Sequence, residues 1–178
     1  MNMKSLEIGP GEYPVAGFDS LTADLNQPAT YHCFWGNDLL PIEDETYDLV
    51  YASHVIEHVP WYRVHAALKE VYRILKPGGS FEVWTVNFRV VTSAFIQEEI
   101  PDDWRRMNPH DDFMTWINGR LFAYETEGTG LNFHKSCFTF QSLVKLLQDV
   151  GFKEPISIFK PRGIDHGPVN LGVAAWKE

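Results

Sequence analysis

Glu7, Gly9 and Gly11 place an acid and two glycines at alternate positions where the apolar run SLEI ends. Glycine lacks a Cβ, so Gly9 and Gly11 can take positive φ and let a ligand lie against bare main chain. A strand end of this kind is where open α/β sheets receive nucleotides. A tight turn with no ligand is the plain alternative. In the dinucleotide fingerprint G-x-G-x-x-G the third glycine lets a helix pack on the strand, and here that place is Pro14, which disfavours a nicotinamide or flavin enzyme. His134 and His166 are polar residues of a type able to move a proton near neutral pH, as deprotonation of a hydroxyl or amine requires. A loop histidine bonded to backbone is the alternative for each.

His54 to His58 read HVIEH, the H-x-x-E-H order of some zinc peptidases. Two zinc ligands at that spacing need a helix long enough to carry both. This pentapeptide instead follows the strand-like YDLVYAS directly and runs into Val59-Pro60, so a zinc site is the lesser reading. Cys33 and Cys137 stand far apart with no C-x-x-C spacing, and they predict reduced thiols rather than a disulfide or a zinc site.

The elements that must carry these residues alternate in type. Strands are expected at 5–8, 18–24, 30–35, 47–53 and 80–86, with two closing strands in PISIFK and NLGVAAWK. Val64, Ala67, Leu68, Val71 and Leu75 recur at three and four, predicting a helix from Pro60 to Lys76 that ends at Pro77-Gly78-Gly79. A second helix is expected between Thr139, as N-cap, and Gly151. Such alternation predicts a mostly parallel sheet. Between the first two strands there is room only for a turn-rich loop over 9–17, because a crossover with its helix takes at least about 10 to 12 residues. Residues 88–136 are irregular, acidic and aromatic, with Phe113, Trp116, Ile117 and Leu121 at helical spacing. They predict an insertion, either a cap over the substrate or an extra layer for a homo-oligomer, within one domain spanning 1–178.

The chain is 178 residues long with a net charge of −9. That charge opposes nucleic-acid binding, which draws on Lys and Arg, and a small-molecule partner is expected. No window reaches the ~18 apolar residues of a membrane span. Met1 to Lys4 leave no room for a signal peptide before the first strand, so a cytoplasmic protein is expected.

The succession LEIGPG, Asp24 near the end of strand two, GNDLLPIEDETYDLVYASHVIEHV and LKPGGSFEV resembles the class I S-adenosylmethionine-dependent methyltransferases, in particular the small methyltransferase-11-like group. The resemblance implies a Rossmann-like three-layer sandwich: a mostly parallel seven-stranded sheet, an antiparallel C-terminal strand and, here, a reduced first helix. It implies S-adenosyl-L-methionine as cofactor. Glu7, Gly9 and Gly11 would meet its methionine end. Asp24, or Asp19 if the strand ends earlier, would accept from the ribose hydroxyls, a carboxylate offering two acceptor oxygens. Asp38 and Leu39 would hold the adenine, and Ser53 and His54 would lie beside the reacting methyl group, with His58 ordering the turn that follows. His54 and His134 are the candidate catalytic residues, for transfer to an oxygen or nitrogen of a small acceptor. A zinc hydrolase and a non-catalytic cofactor-binding partner protein are the competing readings.

Overall fold

The computed structural model describes residues 3–36, 39–100, 112–123 and 130–178. Seven strands form one sheet: β1 (Ser5–Ile8), β2 (Asp19–Thr22), β3 (Tyr31–His32), β4 (Tyr47–Ser53), β5 (Leu75–Val86), β6 (Lys153–Ile158) and β7 (Asn170–Trp176), in the order β3-β2-β1-β4-β5-β7-β6. β7 alone runs antiparallel to its neighbours, as expected for a C-terminal strand. Reversal of strand order on either side of β1 makes a switch point, and its carboxyl edge is where such sheets receive ligands.

Among the described residues there are four α-helices, α1 (Val64–Ile74), α2 (Phe88–Gln97), α3 (Phe113–Phe122) and α4 (Phe140–Val150). α1 and α4 cover one face, where Leu68, Val71, Leu143 and Leu147 pack with Leu6, Ile8, Val50, Phe81 and Val83 in the main core. Thr139 caps α4 through the Ser142 amide in a reciprocal box, and Gly151, at φ 121°, ends it. Both ends were legible from residue type.

The opposite face is built differently. Glu7, Tyr51 and Glu82 lie side by side there across β1, β4 and β5. Tyr51 meets the Phe18 ring edge-on at 6.5 Å and accepts from the Gly163 amide at 3.3 Å. Arg162 makes two bonds to Glu82, at 2.7 and 2.6 Å. Among the described residues, the partners that meet these side chains from outside the sheet, Phe18, Arg162 and Gly163, are therefore loop residues. Residues 9–18 contain turns only, as their shortness predicts.

Three expectations need correction. α1 begins at Val64, not Pro60, because Pro60 to Arg63 close a separate turn (Arg63 N to Pro60 O, 2.7 Å). β5 begins at Leu75, which pairs with Tyr47. The register then jumps to Leu49 opposite Ser80, so Pro77-Gly78-Gly79 bulges out within the strand instead of preceding it. The opening of the supposedly irregular segment is a helix, α2, capped by Asn87 onto the Arg89 amide.

α2 and α3 form a second apolar cluster with Val86 and Val169, centred on Trp116 and Ile117. Its neck is closed where Asn87 bridges Phe138 and the Phe88 amide donates to the Phe138 carbonyl at 2.9 Å.

Candidate functional site

The carboxyl ends of β1, β2 and β4 open into a cleft of about 920 Å³, walled by Gly9, Gly11, Asp24, Gln27, Trp35, His54, Val55, His58, Leu131 and Asn132 among others. That is toward the upper end of the ~300 to 1,000 Å³ of small-molecule sites. The two glycines contribute in different ways. Gly9, at φ 68°, donates to the Leu21 carbonyl at 2.8 Å, and a Cβ there would overlap the Val55 side chain. Gly11, at φ 58°, has nothing within 4 Å of an added Cβ, so bare backbone lies open at the cleft wall.

Glu7 holds this loop from beneath. It is 4% exposed and accepts from the Val15 amide at 2.6 Å. Burial raises its pKa, opposed by that hydrogen bond. Glu7, Leu39 and Ser53 lie outside the wall of the cleft, and Asp38 lies outside the described residues.

Asp24 is in the wall, on the turn after β2. One carboxylate oxygen accepts from the Asn26 amide at 2.8 Å, and its own amide donates to Thr22 Oγ1 at 3.1 Å. Asp19 sits at the other end of the strand, accepting from the Tyr47 hydroxyl at 2.7 Å. Burial and the bonds to Tyr31 and Asp19 keep that hydroxyl protonated far above the usual phenol range. Asp19 is thus a residue of the amino-terminal edge.

His54 follows β4 at φ 53°, a left-handed conformation uncommon for a side-chain-bearing residue. Its Nδ1 lies 3.1 Å from Glu57 Oε1 and its Nε2 2.8 Å from Asn170 Oδ1. Asn170 orients that oxygen by donating from Nδ2 to Asp165 at 2.7 Å. Both ring nitrogens therefore face acceptors. Glu57 is fully buried and takes a further bond from Thr85 at 3.0 Å. Burial works to raise its pKa, but the His54 bond and the positive fields of His54 and His58 carry it down to about 2.

His58, assigned by sequence only to the turn, is in the cleft wall. Its Nδ1 faces the Phe133 carbonyl at 3.3 Å. A carbonyl can only accept, so Nδ1 carries the hydrogen and the neutral ring keeps its lone pair on Nε2. His134 stands behind it, ring centroids 5.0 Å apart, in the wall of a separate small cavity. Its Nδ1 meets the Arg120 carbonyl at 3.1 Å, and burial lowers its pKa. His166 packs on His54 at 4.1 Å, and burial, then His54 and Arg120, depress it to about 4. His54 and His58 sit on a strand end and a short 3-10 turn (Ile56–His58), with separate partners. Among the described residues, no three His, Cys, Asp or Glu side chains are arranged to hold a metal ion.

The donor set suits an adenosyl ligand: exposed main chain at Gly11, a carboxylate at Asp24 and apolar walls from Ile8, Leu21 and Trp35 in one cleft. The methyltransferase-11 family model, described as a methyltransferase domain, matches residues 10–83. An uncharacterized protein of Methanocaldococcus jannaschii is 30% identical over 122 residues, 68% of this chain and 48% of that protein. A demethylmenaquinone methyltransferase of Streptomyces griseus is 33% identical over 85 residues, 44% of this chain and 36% of that enzyme. The matches thus span less than half the length of these curated relatives. A Thermotoga maritima structure, described as an S-adenosylmethionine-dependent methyltransferase and possible histamine N-methyltransferase, superposes with a TM-score of 0.59 at 19% identity, covering 100% of this chain and 84% of that one. In sequence over residues 10–83 the chain is similar to class I methyltransferase domains of the methyltransferase-11 type, its sheet has the fold of such domains, and the cofactor that this likeness implies is S-adenosylmethionine.

Proposed function

We propose that the protein transfers a methyl group from S-adenosylmethionine to an oxygen or nitrogen of a small-molecule acceptor. One observation carries this reading: a single continuous cleft joins the Gly11 and Asp24 wall to the wall made by His54, His58, Leu131 and Asn132. A donor and an acceptor held in one cavity react with the advantage of proximity and alignment.

When bound, the cofactor supplies an electrophilic methyl group on its sulfonium. The chain's residues then have distinct tasks. Gly11 presents main chain, and Asp24 accepts from the ribose through its carboxylate. Glu7 acts indirectly, by fixing the loop. His54, held at both nitrogens, shapes the wall beside the acceptor and does not take its proton while those bonds persist. His58 is better placed for that step through Nε2, with His134 packed behind it. The described residues of 88–136, with Phe113, Trp116, Ile117 and Leu121 on α3, serve as the cap on the acceptor side. Cys33 and Cys137, neither of them in a disulfide, suit a reducing, cytoplasmic setting.

The test is calorimetry with S-adenosylmethionine on the wild-type and Asp24→Ala proteins. Loss of a charged hydrogen bond worth about 1.5 to 3 kcal/mol should raise the dissociation constant roughly ten- to a hundredfold. Absence of wild-type binding overturns the proposal. In an acceptor assay, His58→Asn should lower kcat by about 10² or more if it is the base, with cofactor affinity kept.

A further inference from the structure

Residues 9–18 run from β1 to β2 with no helix to hold them, yet they must keep Gly11 at the cleft wall. Glu7 pins the loop at Val15. The other fixed point comes from Gln27, on the far side of β2. Its Nε2 donates to the Gly11 carbonyl, and its Oε1 accepts from Thr22 Oγ1 at 3.2 Å. The side-chain amide has only this orientation open to it, because Gly11 offers a pure acceptor. Thr22 Oγ1 in turn accepts from the Asp24 amide at 3.1 Å. The Gln27 amide donates to the Asp24 carbonyl at 3.3 Å, and His32 Nε2 donates to the Gln27 carbonyl at 3.0 Å. One side chain thus ties Gly11 to the Thr22-Asp24 turn, and both belong to the cleft wall.

We infer that Gln27 is a positioning residue that latches the glycine loop to the acidic turn and fixes the distance between the two halves of the cofactor cradle, in place of a crossover helix. The latch rests on the proposed cofactor site for its purpose, and on the hydrogen bonds alone for its existence. Both donor and acceptor are required of the side chain. A carboxylate at 27 keeps an acceptor for Thr22 but turns a second acceptor toward Gly11, and alanine keeps neither.

Amide hydrogen exchange on the ligand-free protein reads the latch directly. The Val15 and Phe18 amides, bonded to Glu7 and to the Val15 carbonyl at 2.6 and 3.3 Å, report on loop order. In Gln27→Ala and Gln27→Glu both should exchange about tenfold faster, as expected for loss of one hydrogen bond, while amides of α1 keep their wild-type rates. Affinity for S-adenosylhomocysteine should fall about tenfold in both variants. Thr22→Val should add little to Gln27→Ala, since the two act through one chain of bonds. Unaltered exchange at Val15 and Phe18 overturns the inference. Faster exchange with undiminished nucleoside affinity overturns the positioning role, and failure of the wild-type protein to bind any adenosyl nucleoside overturns the cofactor reading instead.

Discussion

Two connections in this sheet join neighbouring parallel strands by different physical means. From β4 to β5 the chain passes through α1, which buries Val64, Ala67, Leu68, Val71 and Ile74. From β1 to β2 it passes through turns held at single polar points, Glu7 on Val15 and Gln27 on Gly11. The first is stabilised by apolar area removed from water, which is indifferent to direction. The second relies on hydrogen bonds, individually worth about 1 kcal/mol but directional. Substitutions in the first connection should therefore act on stability, and those in the second on the geometry of the cleft.

The largest effect is expected at Leu68, which is completely buried. Leu68→Ala should destabilise the protein by about 2 to 5 kcal/mol in urea denaturation, with the remaining folded molecules binding cofactor at wild-type affinity. A matching loss of affinity would break the comparison. An intermediate effect is expected at the glycines. Gly11→Ala meets only the left-handed penalty of about 1 to 2 kcal/mol, whereas Gly9→Ala meets that penalty and the Val55 side chain as well. The difference in their unfolding midpoints isolates the Val55 contact, and equal midpoints would show that Val55 gives way without cost.

A third effect concerns pH. His166 is depressed to about 4 in the folded protein by burial and by its neighbours His54 and Arg120, with Glu57 and Asp165 opposing. Unfolded, it takes its proton near the ordinary pKa of about 6.5. The unfolded chain thus binds more protons between those values, and stability should decline as pH falls from about 6.5 toward 4, then level off. His166→Asn should flatten that part of the stability curve, measured by thermal unfolding across the range. An unchanged slope would assign it to other groups.

What the sequence revealed followed the same division. β4 and α4 were legible because burial period and capping residues are local signals: YDLVYAS spans the strand, and Thr139 and Gly151 bound the helix. The glycine loop was legible as a loop from its shortness. The bonds that shape it were not, since Gln27 and Gly11 are sixteen positions apart and nothing in LNQPAT marks a latch. α2 was missed because Val90, Val91 and Thr92 are poor helix formers. Packing of Val91 and Ala94 in the second cluster overrides them. His54 was nominated as catalytic from its place after β4, but its engagement by Asn170 depends on a strand at the far end of the chain.

The bridge between Asn87 and Phe138 gives residues 88–136 a further property. Entry and exit are already joined at an isolated bridge just past the end of β5, so the intervening chain is a closed ring in the polymer sense. Doubling such a ring costs only about 0.6 kcal/mol of closure entropy. The sheet is thereby insulated from length changes beyond the neck, and Leu131 and Asn132 are the positions at which such changes would reach the cleft wall.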